Sequence, residues 1–187
     1  MNTIHPTSWC MFTLVAGMLW LPHGAHAGEA SVARGEYLTQ LLGCGRCHTE
    51  GELVGRRDGV WLAGSTTGIA YTPYDQDEQP GVVFAGNLTP DPQTGLGQWS
   101  EDDIIRLIRS GTDHNDGMRL TVMPWPAYGL LNDADARAIA DYLRSLDPVI
   151  NEIPENVPEG TPTDAAYVRF SIYRFVPGRS PKVVPTP

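Results

Sequence analysis

Two of the three cysteines in this 187-residue chain stand in the run LLGCGRCHTEGE, residues 41–52, as Cys44-Gly-Arg-Cys47-His48. Three chemistries use a Cys-x-x-Cys pair. A redox dithiol places the pair at a helix N-terminus after a strand, within a βαβ pattern. Here a helical pattern precedes the pair, and no parallel-strand pattern appears. A zinc site draws four ligands, usually from two separated pairs. After residue 27 the only histidines are His48 and His114, and adjacent Cys47 and His48 diverge too much to share one tetrahedral ion. A covalent haem uses every member of the motif. Both thiols form thioethers to the vinyl groups, the two residues between them set that spacing, and the histidine directly after lies under the iron. The motif therefore reads as an attachment site for haem c, with Cys44 and Cys47 as the thioether residues and His48 as the proximal iron ligand.

A sixth ligand must come from a short inventory. Residues 11–21, MFTLVAGMLWL, are an uninterrupted apolar run, too short to span a bilayer but suited to the central region of a signal peptide. Ala25-x-Ala27 follows as a cleavage site. No Lys or Arg precedes the run, so this leader lacks the usual basic start. Export with cleavage after Ala27 agrees with haem c, which is attached outside the bacterial cytoplasm. The mature chain then holds Cys44, Cys47, His48, His114, Met118 and Met123 as its soft or imidazole ligands. Met123 lies in TVMPWPAY, where Pro124 stiffens the chain and Val122, Trp125 and Tyr128 offer an apolar surround. Met118 and His114 lie in polar turns, NDGMRL and TDHNDG. Met123 is the expected distal ligand, with Met118, His114 or an open site as alternatives. His/Met ligation raises the reduction potential and leaves no vacancy for substrate, which is the chemistry of one-electron transfer.

The elements that position these residues read as follows. Residues 31–43, SVARGEYLTQLLG, form a helix with Ser31 as N-cap and with Tyr37, Leu38, Leu41 and Leu42 on one side. Residues 100–110 form a second helix, capped by Ser100, with Glu101, Asp102 and Asp103 in its first turn and Ile104, Ile105, Leu107 and Ile108 as the buried stripe. Residues 132–146 form a third, capped by Asn132, with Ala136, Ile139, Ala140 and Leu143 inward. Residues 49–98 are Gly- and Pro-rich and poorly periodic, a length unusual in a compact domain unless the loop wraps something. The expected division is a signal peptide over 1–27, a domain over 28–150 and an extended Pro-rich C-terminal arm over 151–187. Three modest helices supply a thin apolar core, which a buried haem would complete.

These segments together resemble a class I cytochrome c, and among such proteins the single-haem modules associated with bacterial periplasmic dehydrogenases for alcohols, aldehydes and sugar acids. The resemblance rests on ARGEYLTQLLGCGRCHT, on AGNLTPDPQTGLGQWSEDDIIRLIRSG and on DGMRLTVMPWPAYGLLNDADARAIADYLRSL, which cover most of residues 33–146. It implies an all-α fold of three main helices and long loops around one covalent haem. It also implies that the first and last helices cross, with Gly35 letting Tyr37 pack near Tyr142 and Leu143. It assigns Asn87 and Trp99 to the haem propionates, to which both side chains can donate hydrogen bonds. The expected function is periplasmic electron transfer as the acceptor subunit or partner of a dehydrogenase, with an oxidase or another cytochrome taking the electron on. A peroxidase-like haem enzyme and a ligand-sensing haem module are the alternatives, and each requires an open distal site. Two features depart from the common pattern: residues 53–86 are longer than a minimal cytochrome needs, and Lys182 is the only lysine.

The net charge of −9 argues against nucleic-acid and anionic membrane partners and favours a partner with a basic patch. Within this acidic chain, residues 164–179, DAAYVRFSIYRFVPGR, interleave Tyr167, Phe170, Tyr173 and Phe175 with Arg169, Arg174 and Arg179. Aromatics with arginine are what interface cores enrich. The arm is therefore expected to dock a partner, with packing on its own domain or a weakly ordered tail as the alternatives.

Overall fold

The structure is a computed structural model that describes residues 23–56, 58–71, 79–112 and 122–170, with side chains from residue 28 onward. The first helix, α1, spans His23–Leu41 and leads through Gly43, in the left-handed region at φ 73°, into the short helix α2, Cys44–His48. α3 spans Glu101–Ser110, α4 spans Trp125–Tyr128 and α5 spans Asp133–Ser145. Among the described residues no helix is long and apolar enough to cross a membrane.

The α3 and α5 starts follow from local chemistry. Ser100 and Asp103 form a reciprocal capping box, in which each side chain bonds the other's backbone N–H. Asn132 Oδ1 accepts from the Asp135 backbone N–H at 2.8 Å. α3 stops at Gly111, whose left-handed backbone directs its N–H to Leu107 O.

α1 begins eight residues before the expected start, so Ser31 lies inside it and caps nothing. Its hydroxyl instead donates to Asp141 Oδ2 at 2.5 Å, and Arg34 pairs with Asp135, so two polar bonds tie α1 to α5. The inward face of α1 carries Val32, Gly35, Leu38, Thr39 and Leu42, and Tyr37 and Leu41 point away at 54% and 63% exposure. The expected grouping of Tyr37 and Leu41 with Leu38 and Leu42 is thus overturned. At 100° per residue, positions 37 and 41 lie roughly 200° and 240° around the helix from Gly35, on its far side. Gly35 does mark the crossing, but it meets Ala138 and Tyr142 directly. A Cβ placed there would lie 1.9 Å from the Ala138 carbonyl oxygen.

α1, α3 and α5 enclose one core, in which Leu38, Leu62, Leu96, Ile104, Ile139 and Leu143 are buried together. α5 buries the expected Ala136, Ile139, Ala140 and Leu143, and adds Ala138 and Tyr142. The stripe on α3 is different: Ile104 is fully buried, while Ile105, Leu107 and Ile108 are half-buried.

The chain is not purely helical. A three-stranded sheet in the order β2-β1-β3 joins β1, Gly68–Ala70, and β2, Val82–Val83, of the long loop to β3, Tyr167–Val168, of the C-terminal arm. β1 pairs antiparallel with β2 and parallel with β3. Val82 and Val157 exchange both backbone hydrogen bonds at 2.8 Å. Residues 149–168 therefore lie along their own domain. Of the aromatic–arginine cluster, Tyr167, Arg169 and Phe170 are described, and Tyr173, Arg174, Phe175 and Arg179 lie outside the described residues.

Candidate functional site

A cavity of about 500 Å³ opens between α1, α3, α4 and the long loop, and its walls are mostly apolar. That volume falls within the roughly 300–1,000 Å³ of sites that bury an organic ligand. α3 supplies Ile104, Leu107 and Ile108 to its wall, while Ile105 is not among the lining residues. Leu42, Leu96, Trp99, Trp125, Tyr128 and Leu143 complete the apolar wall.

The Cys-x-x-Cys-His motif meets this cavity from α2. Cys44 and His48 line it, while Cys47, half-buried on the same short helix, is not among the lining side chains. The two cysteines are not joined to each other in a disulfide. Burial pushes the Cys44 thiol up to about 11 and moves Cys47 in the same direction. A dithiol built for redox exchange carries a depressed thiol pKa, so these thiols are held in the opposite state. Among the described residues no group of three or more His, Cys, Asp or Glu side chains comes together to hold a metal ion.

His48 is half-buried, and the surface it keeps opens on the cavity. Burial holds its pKa below the ordinary histidine value, against the opposing effect of its bond to Gly86. Its Nδ1 lies 2.8 Å from Gly86 O. With Nδ1–H donating to that carbonyl, Nε2 is left unprotonated for a metal, the arrangement in which a histidine ligand is oriented and made more basic. Gly86 belongs to a loop whose two legs brace one another: Leu88 N–H donates to Leu62 O at 2.9 Å and Ser65 N–H to Ala85 O at 3.0 Å.

Met123 reaches the same cavity from the segment before α4. Its carbonyl accepts from Trp125 N–H at 2.9 Å, and the Tyr128 hydroxyl donates to Leu42 O at 3.1 Å, which ties α4 to the end of α1 just before Cys44. The competing ligands His114 and Met118 lie outside the described residues.

Trp99 and Asn87 both line the cavity. Asn87 has another occupation as well. Its Nδ2 donates to Thr94 Oγ1 at 3.0 Å and to Val149 O at 2.7 Å, and its Oδ1 accepts from Thr89 N and Oγ1. Both amide protons are thus engaged by protein oxygens, and the side chain fastens the loop to the start of the arm.

Three contributors gave no signal in the sequence. Trp61 lies against Gly45 inside the motif, where a Cβ would come within 2.0 Å of the indole, and its Nε1–H donates to the Tyr142 hydroxyl at 2.9 Å. Thr39, fully buried on α1, lines the cavity with no hydrogen-bond partner for its hydroxyl. Gly86 acts through a backbone carbonyl, which no residue type announces.

The site has the parts a covalent haem needs: two cysteines at the right spacing, an oriented neutral imidazole, a thioether side chain and an apolar cavity. Comparison with known proteins agrees. Residues 32–147 match the family described as cytochrome c, and the chain belongs to that family. Membership implies a covalently bound haem c. The chain is 29% identical over 76% of its length to an alcohol dehydrogenase (quinone) cytochrome c subunit of Gluconobacter oxydans (strain 621H), of which it covers 27%. It is 32% identical over 66% of its length to a gluconate 2-dehydrogenase cytochrome c subunit of Pantoea cypripedii, covering 25% of that protein. It is 30% identical over 65% of its length to a fructose dehydrogenase cytochrome subunit of Gluconobacter japonicus, covering 22%. The chain thus spans about a quarter of the length of these relatives.

Proposed function

We propose that the protein transfers single electrons through one haem c, attached at Cys44 and Cys47 and ligated by His48 and Met123. The observation that carries this reading is the convergence of Cys44, His48 and Met123 on one apolar cavity. One attachment motif in the sequence supports one haem. Bound there, the haem supplies a metal that cycles between two oxidation states without gaining or losing a ligand. The chain's own residues do the rest. Gly86 O fixes the tautomer and ring plane of His48. The apolar wall from α3, α4 and α5 excludes water and favours the less charged, reduced state. Trp99, at the cavity wall, is the residue proposed to face the propionates.

The relatives' names support a dehydrogenase catalytic subunit as the electron donor, with an oxidase or a second cytochrome as the acceptor that leads to the respiratory chain. Export by the N-terminal segment, with cleavage after Ala27, would place the exchange in the periplasm. Under this reading the protein is a non-catalytic partner in an oxidoreductase assembly.

Optical and paramagnetic spectra of the purified holoprotein test this. The expected result is low-spin iron with a sulfur-to-iron charge-transfer band in the oxidised form. Met123→Ala should remove that band, bring a high-spin spectrum and lower the reduction potential, while Met118→Ala leaves all three unchanged. High-spin iron or rapid carbon monoxide binding in the unaltered protein would favour an open-site haem enzyme or sensor instead.

A further inference from the structure

We infer that residues 149–157 form a strap that positions the iron-facing histidine through the Gly86 carbonyl; this rests on the assignment of His48 as a ligand. The strap grips both sides of Gly86. On one side Val149 O accepts from Asn87 Nδ2 at 2.7 Å, one residue after Gly86. On the other, Asn156 Oδ1 accepts from the buried Phe84 N–H at 3.0 Å, two residues before it. The opposite leg of the loop is held as well: Asn151 Nδ2 donates to Ala63 O at 2.8 Å, and the Ile153 side chain sits so close to Gly64 that a Cβ there would come within 2.6 Å of it. Gly64 N–H in turn donates to His48 O at 2.8 Å. The Val82–Val157 pair anchors the far end.

Gly86 itself has no side chain, and a Cβ at that position would meet nothing within 4 Å. No side chain of its own therefore fixes where its carbonyl points. Hydrogen bonds on its neighbours do, and two of them come from the strap. Orienting partners of this kind are worth roughly 10–100-fold in metal-site performance. Asn151 is the informative position, because it belongs to the strap and not to the cavity wall, whereas Asn156 lines the cavity as well.

The direction of the effect separates positioning from general loosening. A carbonyl that accepts the His48 ring proton makes the imidazole a stronger donor and favours the oxidised metal. Weakening that bond raises the reduction potential. Admitting water to a slackened cavity favours the oxidised state and lowers the potential.

The experiment uses the full-length holoprotein carrying Asn151→Ala, with Asn156→Ala as a second variant and Glu155→Ala, an exposed strap residue, as control. Nuclear magnetic resonance follows solvent exchange of the iron-shifted His48 Nδ1 proton, and redox titration gives the potential. Faster exchange than in the unaltered protein, with an upward shift in potential, is expected for Asn151→Ala and not for Glu155→Ala. Unchanged exchange, or a potential that falls, would overturn the strap's role. Absence of an iron-shifted His48 ring proton in the unaltered protein would instead overturn the ligand assignment on which it stands. Should Asn156→Ala fail to yield folded holoprotein, Asn151→Ala, which breaks only the bond to Ala63, decides the question.

Discussion

Replacing Gly35 with alanine is the sharpest test of how α1 meets α5. The added Cβ would stand 1.9 Å from Ala138 O, 2.6 Å from Ala138 C and 2.7 Å from Tyr142 Cβ. Two of these are backbone atoms of α5, so no side-chain rotation relieves the contact. Carbon approaching a carbonyl oxygen needs at least about 3.0 Å, so the helix axes must separate by more than ~1 Å, a gap that forfeits a quarter to a half of the dispersion well at each contact across it. The contacts at risk include Leu38 against Ile139 and Leu143, and the two polar ties from Ser31 and Arg34. Overpacking a well-filled interface costs about 1–3 kcal/mol, and a clash with backbone on both sides of the crossing belongs at the upper end. In a domain of this size that corresponds to a fall in melting temperature of roughly 10 °C. Thermal unfolding of the holoprotein, followed by the haem absorbance and by far-ultraviolet circular dichroism, measures it. Gly28→Ala, on the same helix with nothing within 4 Å of the added carbon, is the control and should change little. A Gly35→Ala protein melting within 2 °C of the original would show that the close crossing is not where the helices touch.

Two further outcomes follow from the site. Cys44→Ala combined with Cys47→Ala should abolish haem that survives denaturing electrophoresis, and persistent peroxidase staining of that band would reject attachment at this motif. Glu50, two residues after His48, accepts from Thr66 N–H at 2.6 Å and from the hydroxyls of Thr66, Thr67 and Ser65. Partial burial pushes its carboxyl up, but those hydrogen bonds outweigh it and hold it below the ordinary glutamate value. A depressed carboxylate stabilises the fold above its unfolded pKa and ceases to do so as pH falls through the folded value. Glu50→Gln should therefore cost about 1 kcal/mol at neutral pH, with the gap from the unaltered protein closing below the ordinary carboxylate range; a gap independent of pH between 7 and 3 would refute the ionic role.

Much of the frame was legible because it rests on local chemistry. Ser100 with Asp103, and Asn132 with Asp135, are short-range signals that work wherever a helix starts, and both caps form as expected. The haem motif was legible for the same reason: its residues are adjacent, so spacing alone specifies them. The failures share the opposite property. Tyr37 and Leu41 are apolar enough to suggest burial, but the helical phase that buries Gly35 turns both to the far side of α1. The sheet leaves no pattern in the sequence because Val82–Val83 and Tyr167–Val168 are two-residue strands, too short to alternate, and the second of them reaches β1 only through the distant pairing of Tyr167 with Gly68. Gly86 escaped because its contribution is a carbonyl oxygen, which every residue has.

Asn87 shows how a residue expected to face a ligand can also hold the protein together. A buried asparagine in a loop beside a cavity invites a role toward the ligand, yet its two donors and its acceptor are all taken by Thr94, Val149 and Thr89. Its partner Val149 stands at the root of the arm, and that changes the meaning of the arm too. The Tyr/Arg pattern of residues 164–179 pointed to a partner, and a separable arm would be removable without disturbing the site. The described half is not separable. Asn151 and Asn156 bond the loop that carries Gly86, and Tyr167 and Val168 extend the sheet. Its one large exposed aromatic, Phe170, comes at the very end of the described chain, after the last strand. Loss of everything beyond residue 150 would therefore disturb the loop that carries Gly86 and any interface together, so a docking role for the cluster is tested by changing its side chains, Phe170 first, rather than by removing the arm.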